Sequence, residues 1–360
     1  MKITAAVLHE HDKPFSVEAL DLDEPRPGEL LVKVSAVGMC HTDLVVRHGL
    51  PIPLPIVFGH EGSGIVEAVG RDVTRFAVGD HVVMSFDHCG WCPQCLTGQP
   101  AYCTEFVLRN LTGRRMDGTT AAATEDGVAV SSRWFGQSSF ATHAIVTERN
   151  LVKVDPSLPL EVLCPLGCGI QTGAGAVLNT VNLRSGQRLA VFGVGAVGMA
   201  AVMAAKLVGA SEIIAVDLDP DRRTLALELG ATTVIDGADP DAVAKMGADT
   251  YGADCCLDTT GAAQVVDAAI SLLGPRGRLA LVAAGSDPVT VQPERLMGRS
   301  LTYVLEGDAV PQVFVPQLIS YWQRGLFPVD RLIRQYPLEA INNAEQDSLS
   351  GKTIKPVLMP

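Results

Sequence analysis

Three widely separated stretches of the sequence carry side chains that together can bind a transition metal. Cys40 opens the run 40–43, His60 lies in the run 59–61, and Cys168 follows much later. A lone cysteine or histidine is more often a packed core residue, so the inference depends on the set. Two thiolates and one imidazole suit Zn²⁺, and three protein ligands leave one tetrahedral position open. The sequence therefore predicts a catalytic metal site at these three residues.

Four further cysteines form a second, more local set. Cys89, Cys92, Cys95 and Cys103 are separated by two, two and seven intervening residues. Each Cys-x-x-Cys turn directs two sulfurs inward, and four thiolates complete a tetrahedron with no open position. The alternatives are four unrelated thiols or an iron–sulfur cluster. The spacing favours a structural zinc that holds together a protruding lobe, about residues 86–115.

A glycine-rich motif indicates a dinucleotide. Gly193, Gly195 and Gly198 follow a predicted strand and open a helix-forming run, and a second apolar strand ends in Asp217. Glycines allow the backbone to approach a pyrophosphate, and the helix N-terminus offers unpaired N–H groups to it. An acidic residue about 20 positions further on accepts hydrogen bonds from ribose hydroxyls. A tight turn without a ligand is the alternative; the full context favours a nucleotide.

The elements that must position these residues change in character along the chain. Residues 1–38 and 140–154 alternate between apolar and polar side chains, which is typical of strands. From residue 186 onward apolar strands alternate with helical stretches, which predicts a doubly wound parallel sheet. The uncharged stretch 189–205 is just long enough to be considered for a membrane span, but it contains the three glycines.

Composition and charge exclude several classes of partner. The chain has 360 residues, enough for two domains, and a formal net charge of −12. This charge argues against binding to nucleic acid or to an anionic membrane surface. The start of the sequence passes directly into an alternating apolar stretch, so we expect no signal peptide and a cytoplasmic location. Nine cysteines in such a chain indicate metal sites rather than disulfides.

These motifs occur together and in the same order in a known family. The chain resembles the zinc-dependent medium-chain alcohol dehydrogenases over most of its length, through GMCHTD, GHEGSG, the four cysteines, CGIQTG, GVGAVG and SGKTIKPV. The stretches 113–118, 135–140 and 168–175 look like the aryl-alcohol (benzyl alcohol) dehydrogenase branch. Terpene-alcohol dehydrogenases that act on geraniol-like substrates are similar in the same stretches.

The resemblance implies a fold in the α/β class, with a doubly wound Rossmann domain inserted in a second domain. That second domain is β-rich, with a partly opened barrel (GroES-like), and is catalytic. It comprises residues 1–169 and 306–360, and the NAD-binding Rossmann domain comprises 170–305. Two Zn²⁺ ions per chain and NAD are the implied cofactors.

The resemblance also implies roles for the residues around the first site. Asp43 matches the carboxylate that orients the ligand histidine, and Glu61 matches the acid beside the metal. Thr42 matches the hydroxyl that bonds the alcohol, and His41 matches a contact to cofactor phosphate. Val45 stands where many relatives have a proton-relay histidine, and it cannot accept a proton. The implied reaction is reversible hydride transfer between a primary alcohol and NAD, with zinc as Lewis acid.

Further positions match cofactor and substrate contacts. Thr172 matches a residue packed on nicotinamide, and Arg222 and Lys355 match basic cofactor contacts, for which solvated surface charge is the alternative. We expect an apolar substrate pocket whose wall contains Leu50, Phe86, Trp134 and Phe135. For the Trp134 and Phe135 rings, packing in the core is the alternative.

Three questions stay open at this point. A polyol or secondary-alcohol dehydrogenase on the same fold is the main alternative; a zinc-free relative would lack the seven metal ligands. The segment 299–305 matches an intersubunit strand, which predicts a homodimer or homotetramer. Cys164, Cys255 and Cys256 receive no role beyond packing.

Overall fold

The computed structural model of this chain describes residues 1–45, 52–246, 251–283 and 285–360. The described residues divide into two compact units. The first contains Met1–Gly169, Val310–Ile319 and Val329–Pro360, and the second contains Ile170–Ala309 and Ser320–Pro328. This division places residues 306–309 and 320–328 in the second unit, whereas the limits taken from the sequence assigned them to the first.

The strands of the described residues are, in chain order, β1 Lys2–Leu8, β2 Ser16–Leu22, β3 Glu29–Gly38, β4 Ile56–Val57, β5 Glu61–Val69, β6 His81–Met84, β7 Ala122–Ala123, β8 Ala129–Val130, β9 His143–Thr147, β10 Leu151–Val154, β11 Arg188–Phe192, β12 Glu212–Asp217, β13 Thr233–Asp236, β14 Ala253–Asp258, β15 Leu273–Leu281, β16 Ser300–Tyr303, β17 Ile333–Pro337 and β18 Lys355–Met359.

The α-helices of the described residues are α1 His41–Val45, α2 Pro93–Leu96, α3 Phe106–Asn110, α4 Leu160–Leu163, α5 Gly169–Gly175, α6 Ala196–Val208, α7 Pro220–Leu229, α8 Pro240–Lys245, α9 Ala263–Leu272, α10 Pro311–Gln323 and α11 Ile341–Leu349. A π-helical segment covers Ala176–Thr180. Short 3₁₀ segments are Pro100–Tyr102, Trp134–Gly136, Glu148–Asn150, Cys164–Gly167, Pro293–Leu296, Glu306–Asp308, Val329–Leu332 and Leu338–Ala340.

The first unit is built on two sheets, and strand register brings its chemical residues together. One sheet has the order β4-β1-β2-β7-β8; the other has β10-β6-β5-β3-β18-β17, with β9 also paired to β3. Gly38 at the end of β3 lies opposite Glu61 at the start of β5, and Val357 of β18 also lies opposite Gly38. The residues just after β3, at the start of β5 and at the start of β18 therefore share one end of the sheet.

Gly38 shows why this register tolerates no side chain at the crossing point. A Cβ placed there would lie 2.1 Å from Glu61 Oε2. Such a distance is far inside van der Waals contact. The glycine therefore allows the carboxylate of Glu61 to lie directly against the β3 backbone.

The second unit contains a parallel sheet in the order β13-β12-β11-β14-β15-β16. This order corresponds to the 3-2-1-4-5-6 arrangement of a dinucleotide-binding sheet, with its switch point between β11 and β14. Helix α6 starts after Gly195 and ends before its capping residue Gly209, which has a left-handed φ of 81°. The predicted doubly wound α/β sheet is confirmed.

The stretch 189–205 is therefore a buried strand followed by a buried helix. Among the described residues, no single helix combines the length and the apolar character of a membrane span. A bent pair, Leu160–Gly167 with Gly169–Thr180, meets those two criteria by length and composition only.

Candidate metal centres and cofactor loop

The three predicted catalytic ligands converge, together with a fourth residue. The ligand atoms of Cys40, His60, Glu61 and Cys168 all lie within 4.8 Å of one another, and all four residues are buried. Nε2 of His60 is buried and has no hydrogen-bond partner among the described residues. A buried nitrogen without a partner is costly unless something binds it. The donor set and this nitrogen fit a zinc ion.

The tautomer of His60 follows from its neighbour. Asp43 Oδ1 lies 2.7 Å from His60 Nδ1, and both side chains are fully buried. The other oxygen, Oδ2, accepts from the backbone N–H of Cys40 at 3.2 Å. Because the Asp43 oxygens accept from N–H donors, Nδ1 of His60 carries the proton. Nε2 is then left with its lone pair directed at the cluster, as a metal ligand requires.

The surroundings of Cys40 favour its thiolate form, which is the form that binds a metal cation. Its pKa lies well below the ordinary value because Cys168 donates a hydrogen bond to it, and the charges of His60 and Lys355 add to this effect against burial. Thiolates, not thiols, bind metals.

Cys168 is held by a close approach of two backbones. Gly167 lies against β6, where a Cβ would be 2.0 Å from the carbonyl oxygen of Met84. The Ser85 hydroxyl also donates to the Gly167 carbonyl at 2.6 Å. These contacts fix the segment that carries the third ligand.

Lys355 is placed against Glu61. Its Nζ donates to both carboxylate oxygens, at 2.8 and 3.0 Å, and to the Met39 carbonyl at 3.2 Å. The backbone N–H of Gly169 donates to Glu61 at 2.9 Å. Burial raises the pKa of Glu61, and the Lys355 charge opposes that rise. The cofactor role of Lys355 stays a prediction; its described contacts are with the acid beside the cluster.

The four remaining predicted ligands form the second cluster. Sulfur separations of 3.5 Å (Cys92–Cys95), 3.8 Å (Cys89–Cys95) and 4.0 Å (Cys92–Cys103) are found. Four sulfurs at about 2.3 Å from one Zn²⁺ lie roughly 3.8 Å apart at the corners of a tetrahedron. The cluster therefore fits a structural zinc.

The electrostatic surroundings of these four cysteines also favour a bound cation. Backbone N–H groups of Cys95 and Thr104 lower the pKa of Cys92 to about 5. Burial raises the pKa of Cys95 to about 12. Neighbouring thiolates repel one another, so the fully ionised set is stable only with a compensating positive charge.

In the second unit, the glycine loop and the predicted ribose-binding acid are in contact. Asp217 Oδ2 accepts from the backbone N–H of Val194 at 2.7 Å, and Oδ1 accepts from Asp219 N–H at 2.9 Å. Asp219 itself caps α7 through the N–H groups of Asp221 and Arg222. The acid at the end of β12 is thereby aligned beside the loop between β11 and α6.

Other predicted residues have simpler surroundings. His41 is exposed at the start of α1, and Thr42 Oγ1 lies 3.7 Å from Cys40 Sγ. Thr172 is half-buried in α5. Nε of Arg222 is buried without a partner among the described residues. Val45, where a relay histidine stands in many relatives, is 49 % exposed.

The predicted pocket residues are mostly buried in an aromatic cluster. Leu50 lies outside the described residues. Phe86 packs at 5.9 Å from Phe106, and Phe106 meets Phe135 edge-on at 6.2 Å. Phe135 stacks on the His60 ring at 4.4 Å, and Trp134 is fully buried. Their role as pocket walls stays a prediction.

Sequence reasoning missed two contributors to the first cluster. The Trp134 indole donates to Asp43 Oδ1 at 3.0 Å. The Gln137 amide donates to the His60 carbonyl at 2.9 Å and accepts from the Gly62 N–H at 3.1 Å. The sequence offered one signal for Gln137: its long polar side chain stands in the stretch 134–141, where the other residues are small or aromatic.

Comparison with known proteins agrees with these observations. Residues 26–156 match the family model described as alcohol dehydrogenase GroES-like domain, and residues 196–311 match the model described as zinc-binding dehydrogenase. A geraniol dehydrogenase from Castellaniella defragrans is 46 % identical, with 99 % of this chain and 97 % of that protein aligned.

Two crystal structures are similar over the whole chain. An alcohol dehydrogenase zinc-binding domain protein from Burkholderia ambifaria is 47 % identical with a TM-score of 0.97, covering 100 % and 99 % of the two chains. A benzyl alcohol dehydrogenase from Acinetobacter calcoaceticus is 44 % identical with a TM-score of 0.95, with the same coverage. With its two cysteine-containing clusters and its Rossmann sheet, this chain belongs to the zinc-binding alcohol dehydrogenase family.

Proposed function

We propose that this enzyme interconverts a primary aromatic or allylic alcohol and its aldehyde by hydride transfer to and from NAD. The observation that carries the proposal is the buried convergence of Cys40, His60 and Cys168, with Nε2 of His60 directed into the cluster. The substrate class is supported by the benzyl alcohol and geraniol dehydrogenases that the chain resembles at 44 % and 46 % identity.

Each residue at this site has a definable task. Cys40, His60 and Cys168 hold the catalytic zinc, and Asp43 keeps the His60 proton on Nδ1. Zinc held by these residues would supply Lewis-acid stabilisation of charge on the substrate oxygen, and NAD would supply the hydride acceptor. The Thr42 hydroxyl, beside Cys40, would take the proton that leaves the alcohol while releasing its own proton on the other side. Val45 cannot take up the proton that Thr42 releases, so that proton would leave to water without a titrating side chain at position 45.

The second unit supplies the cofactor site. Gly193, Gly195 and Gly198 form the pyrophosphate loop, and the Asp217 carboxylate accepts from the ribose hydroxyls. Thr172 and Arg222 are further contacts within this unit. A carboxylate at the end of β12 repels a 2′-phosphate, so NAD is preferred to NADP.

We further infer a homodimer or homotetramer in the cytoplasm. β16 ends the sheet order and has no partner strand on its outer side among the described residues. Such an edge is a liability unless it is paired or covered.

A substrate panel tests the proposal directly. Purified enzyme is assayed for kcat/KM on benzyl alcohol, cinnamyl alcohol, geraniol, ethanol and sorbitol, with NAD⁺ and with NADP⁺. We expect at least one of the first three to exceed ethanol and sorbitol by about 100-fold, near 2.7 kcal/mol of transition-state stabilisation. NAD⁺ should exceed NADP⁺ by about tenfold or more. Highest activity on sorbitol would support the polyol alternative instead.

A further inference from the structure

Trp134 is placed where it can act on the ligand histidine through Asp43. The Asp43 carboxylate accepts four N–H donors in a fully buried position. Oδ1 accepts from the side chains of His60 at 2.7 Å and Trp134 at 3.0 Å, and from the Gly59 backbone at 3.2 Å. Oδ2 accepts from Cys40 N–H at 3.2 Å.

These donors differ in what they are attached to. The backbone groups of Cys40 and Gly59 belong to the same short segments as the ligands, so they move with the site. Trp134 comes from a segment 91 residues away. Because the terminal torsion of an aspartate is broad, its hydrogen bonds decide the plane of the carboxylate. Trp134 therefore helps to fix the plane of the Asp43 carboxylate from a segment that carries no metal ligand.

Trp134 is itself firmly held. Its backbone N–H donates to the Ser138 hydroxyl at 2.8 Å, and that hydroxyl donates to the Val57 carbonyl at 2.6 Å. The indole meets Phe58 edge-on at 5.3 Å. A side chain anchored at both ends can transmit its position to Asp43.

The next residue holds the face of the same histidine. Phe135 stacks on His60 with ring centroids 4.4 Å apart and planes 24° apart. Its backbone has φ 50° and ψ 34°, a left-handed conformation that is unfavourable for a phenylalanine. This turn lets two consecutive side chains reach one imidazole, the first through Asp43 and the second by stacking.

We propose that Trp134 is a positioning residue for the metal-ligand histidine, acting through the Asp43 carboxylate. The inference rests on the proposed role of His60 as a zinc ligand. Partners of this kind commonly change metal affinity by about 10–100-fold when removed. Trp134 acts one bond further out, which places its effect near the lower end of that range.

The test compares two variants of the metal-loaded enzyme. Trp134→Phe removes the N–H and keeps an aromatic ring. Phe58→Leu, the matched control, trims the packing beside the same indole and keeps the hydrogen bond. Each protein is prepared with Co²⁺ at the three-ligand site, and its visible spectrum and rate of metal loss to a chelator are recorded. Thermal unfolding and elemental analysis of the four-cysteine metal follow in parallel.

We expect Trp134→Phe to lose Co²⁺ about tenfold faster, with altered visible bands and full retention of the four-cysteine metal. Phe58→Leu should unfold at a lower temperature but release Co²⁺ at the wild-type rate. Adding Trp134→Phe to Asp43→Asn should not accelerate release further, because the two act in one chain. Wild-type release by Trp134→Phe, or equally fast release by Phe58→Leu, would overturn the proposal.

Two features keep the result unambiguous. If Trp134→Phe does not fold, site-specific benzothienylalanine at position 134 keeps the bicyclic shape without the N–H, with the same outcomes. Metal release is measured without substrate. If the substrate proposal is wrong, the enzyme will not oxidise the proposed alcohols, but the comparison of metal release rates is unaffected.

Discussion

At the residue scale, a buried ion pair joins the start of β3 to the segment after α3. The Arg115 guanidinium donates to the two oxygens of Glu29 at 2.8 and 3.0 Å, and to Asp23 at 2.9 Å. Burial alone would raise the pKa of Glu29. The Arg115 bonds and the backbone N–H of Arg26 outweigh burial and lower that pKa. The pair therefore favours the ionised carboxylate.

This pair leads to a pH-dependent prediction. Because its folded-state pKa is lowered, Glu29 contributes stability that is fully present above about pH 4.5 and is lost as pH falls through the lowered value. Glu29→Gln should reduce the free energy of unfolding by about 1.5–3 kcal/mol at pH 7. The difference from wild type should shrink toward zero below that lowered pKa.

Urea unfolding at a series of pH values provides the measurement. Glu125→Gln is the control, because Glu125 pairs with Lys2 at an exposed position and should cost less than about 1 kcal/mol. A Glu29→Gln deficit that stays constant as the pH is lowered would mean that the pair does not depend on the charge of Glu29.

Single residues were predictable where chemistry alone selects them. Seven metal ligands follow from residue type and spacing, because few other patterns serve a tetrahedral zinc. The contact of Trp134 with Asp43 was not predictable, because it depends on tertiary folding and on the left-handed backbone at Phe135. Lys355 was predicted as a cofactor contact, and only the register of β18 on β3 reveals its proximity to Glu61.

At the element scale, two glycines of the nucleotide loop have different surroundings. A Cβ at Gly198 would lie 2.0 Å from the carbonyl oxygen of Gly193, so α6 could not pack on the turn. A Cβ at Gly195 would meet nothing within 4 Å. Gly198 is needed by the fold, whereas the space beside Gly195 is available to a ligand.

This difference predicts two distinct phenotypes. Gly198→Ala should lower the free energy of unfolding by about 1–3 kcal/mol, because the turn must move. Gly195→Ala should unfold like wild type but bind NADH at least about tenfold more weakly, because the methyl group occupies the space expected for pyrophosphate. Thermal unfolding and NADH fluorescence titration measure the two effects. Unchanged NADH affinity in Gly195→Ala would place the pyrophosphate elsewhere.

Strands and helices could be predicted from the sequence where the pattern that specifies them is local. The strand, glycine turn and helix of β11 and α6 lie within about 20 consecutive residues, so periodicity and glycine spacing suffice. The addition of β18 beside β3 joins residues more than 300 positions apart. No local pattern specifies such a pairing, although it places Lys355 in the site.

At the scale of the whole molecule, the outer edge of β16 predicts self-association. Tyr303 on this strand is 47 % exposed, and the nearby Met297 is 81 % exposed. Sedimentation at micromolar concentration should give at least twice the 38.0 kDa chain mass. Replacing Thr302 and Tyr303 by lysine should shift the protein toward monomer, because charged edges oppose pairing. A wild-type monomer would contradict the assignment of this edge.

The spacing of the two cysteine-containing clusters has a consequence for the order in which the protein is assembled. Cys89 and Cys103 are 14 residues apart, whereas Cys40 and Cys168 are 128 apart, so closing the longer loop costs roughly 2 kcal/mol more entropy. The four-cysteine lobe can therefore capture its ion while most of the chain is still unfolded. Phe106, whose N–H bonds the Cys103 carbonyl, then offers Phe135 a formed surface. With zinc in short supply during synthesis, the chains that accumulate would be folded at the lobe and incomplete at the catalytic cluster.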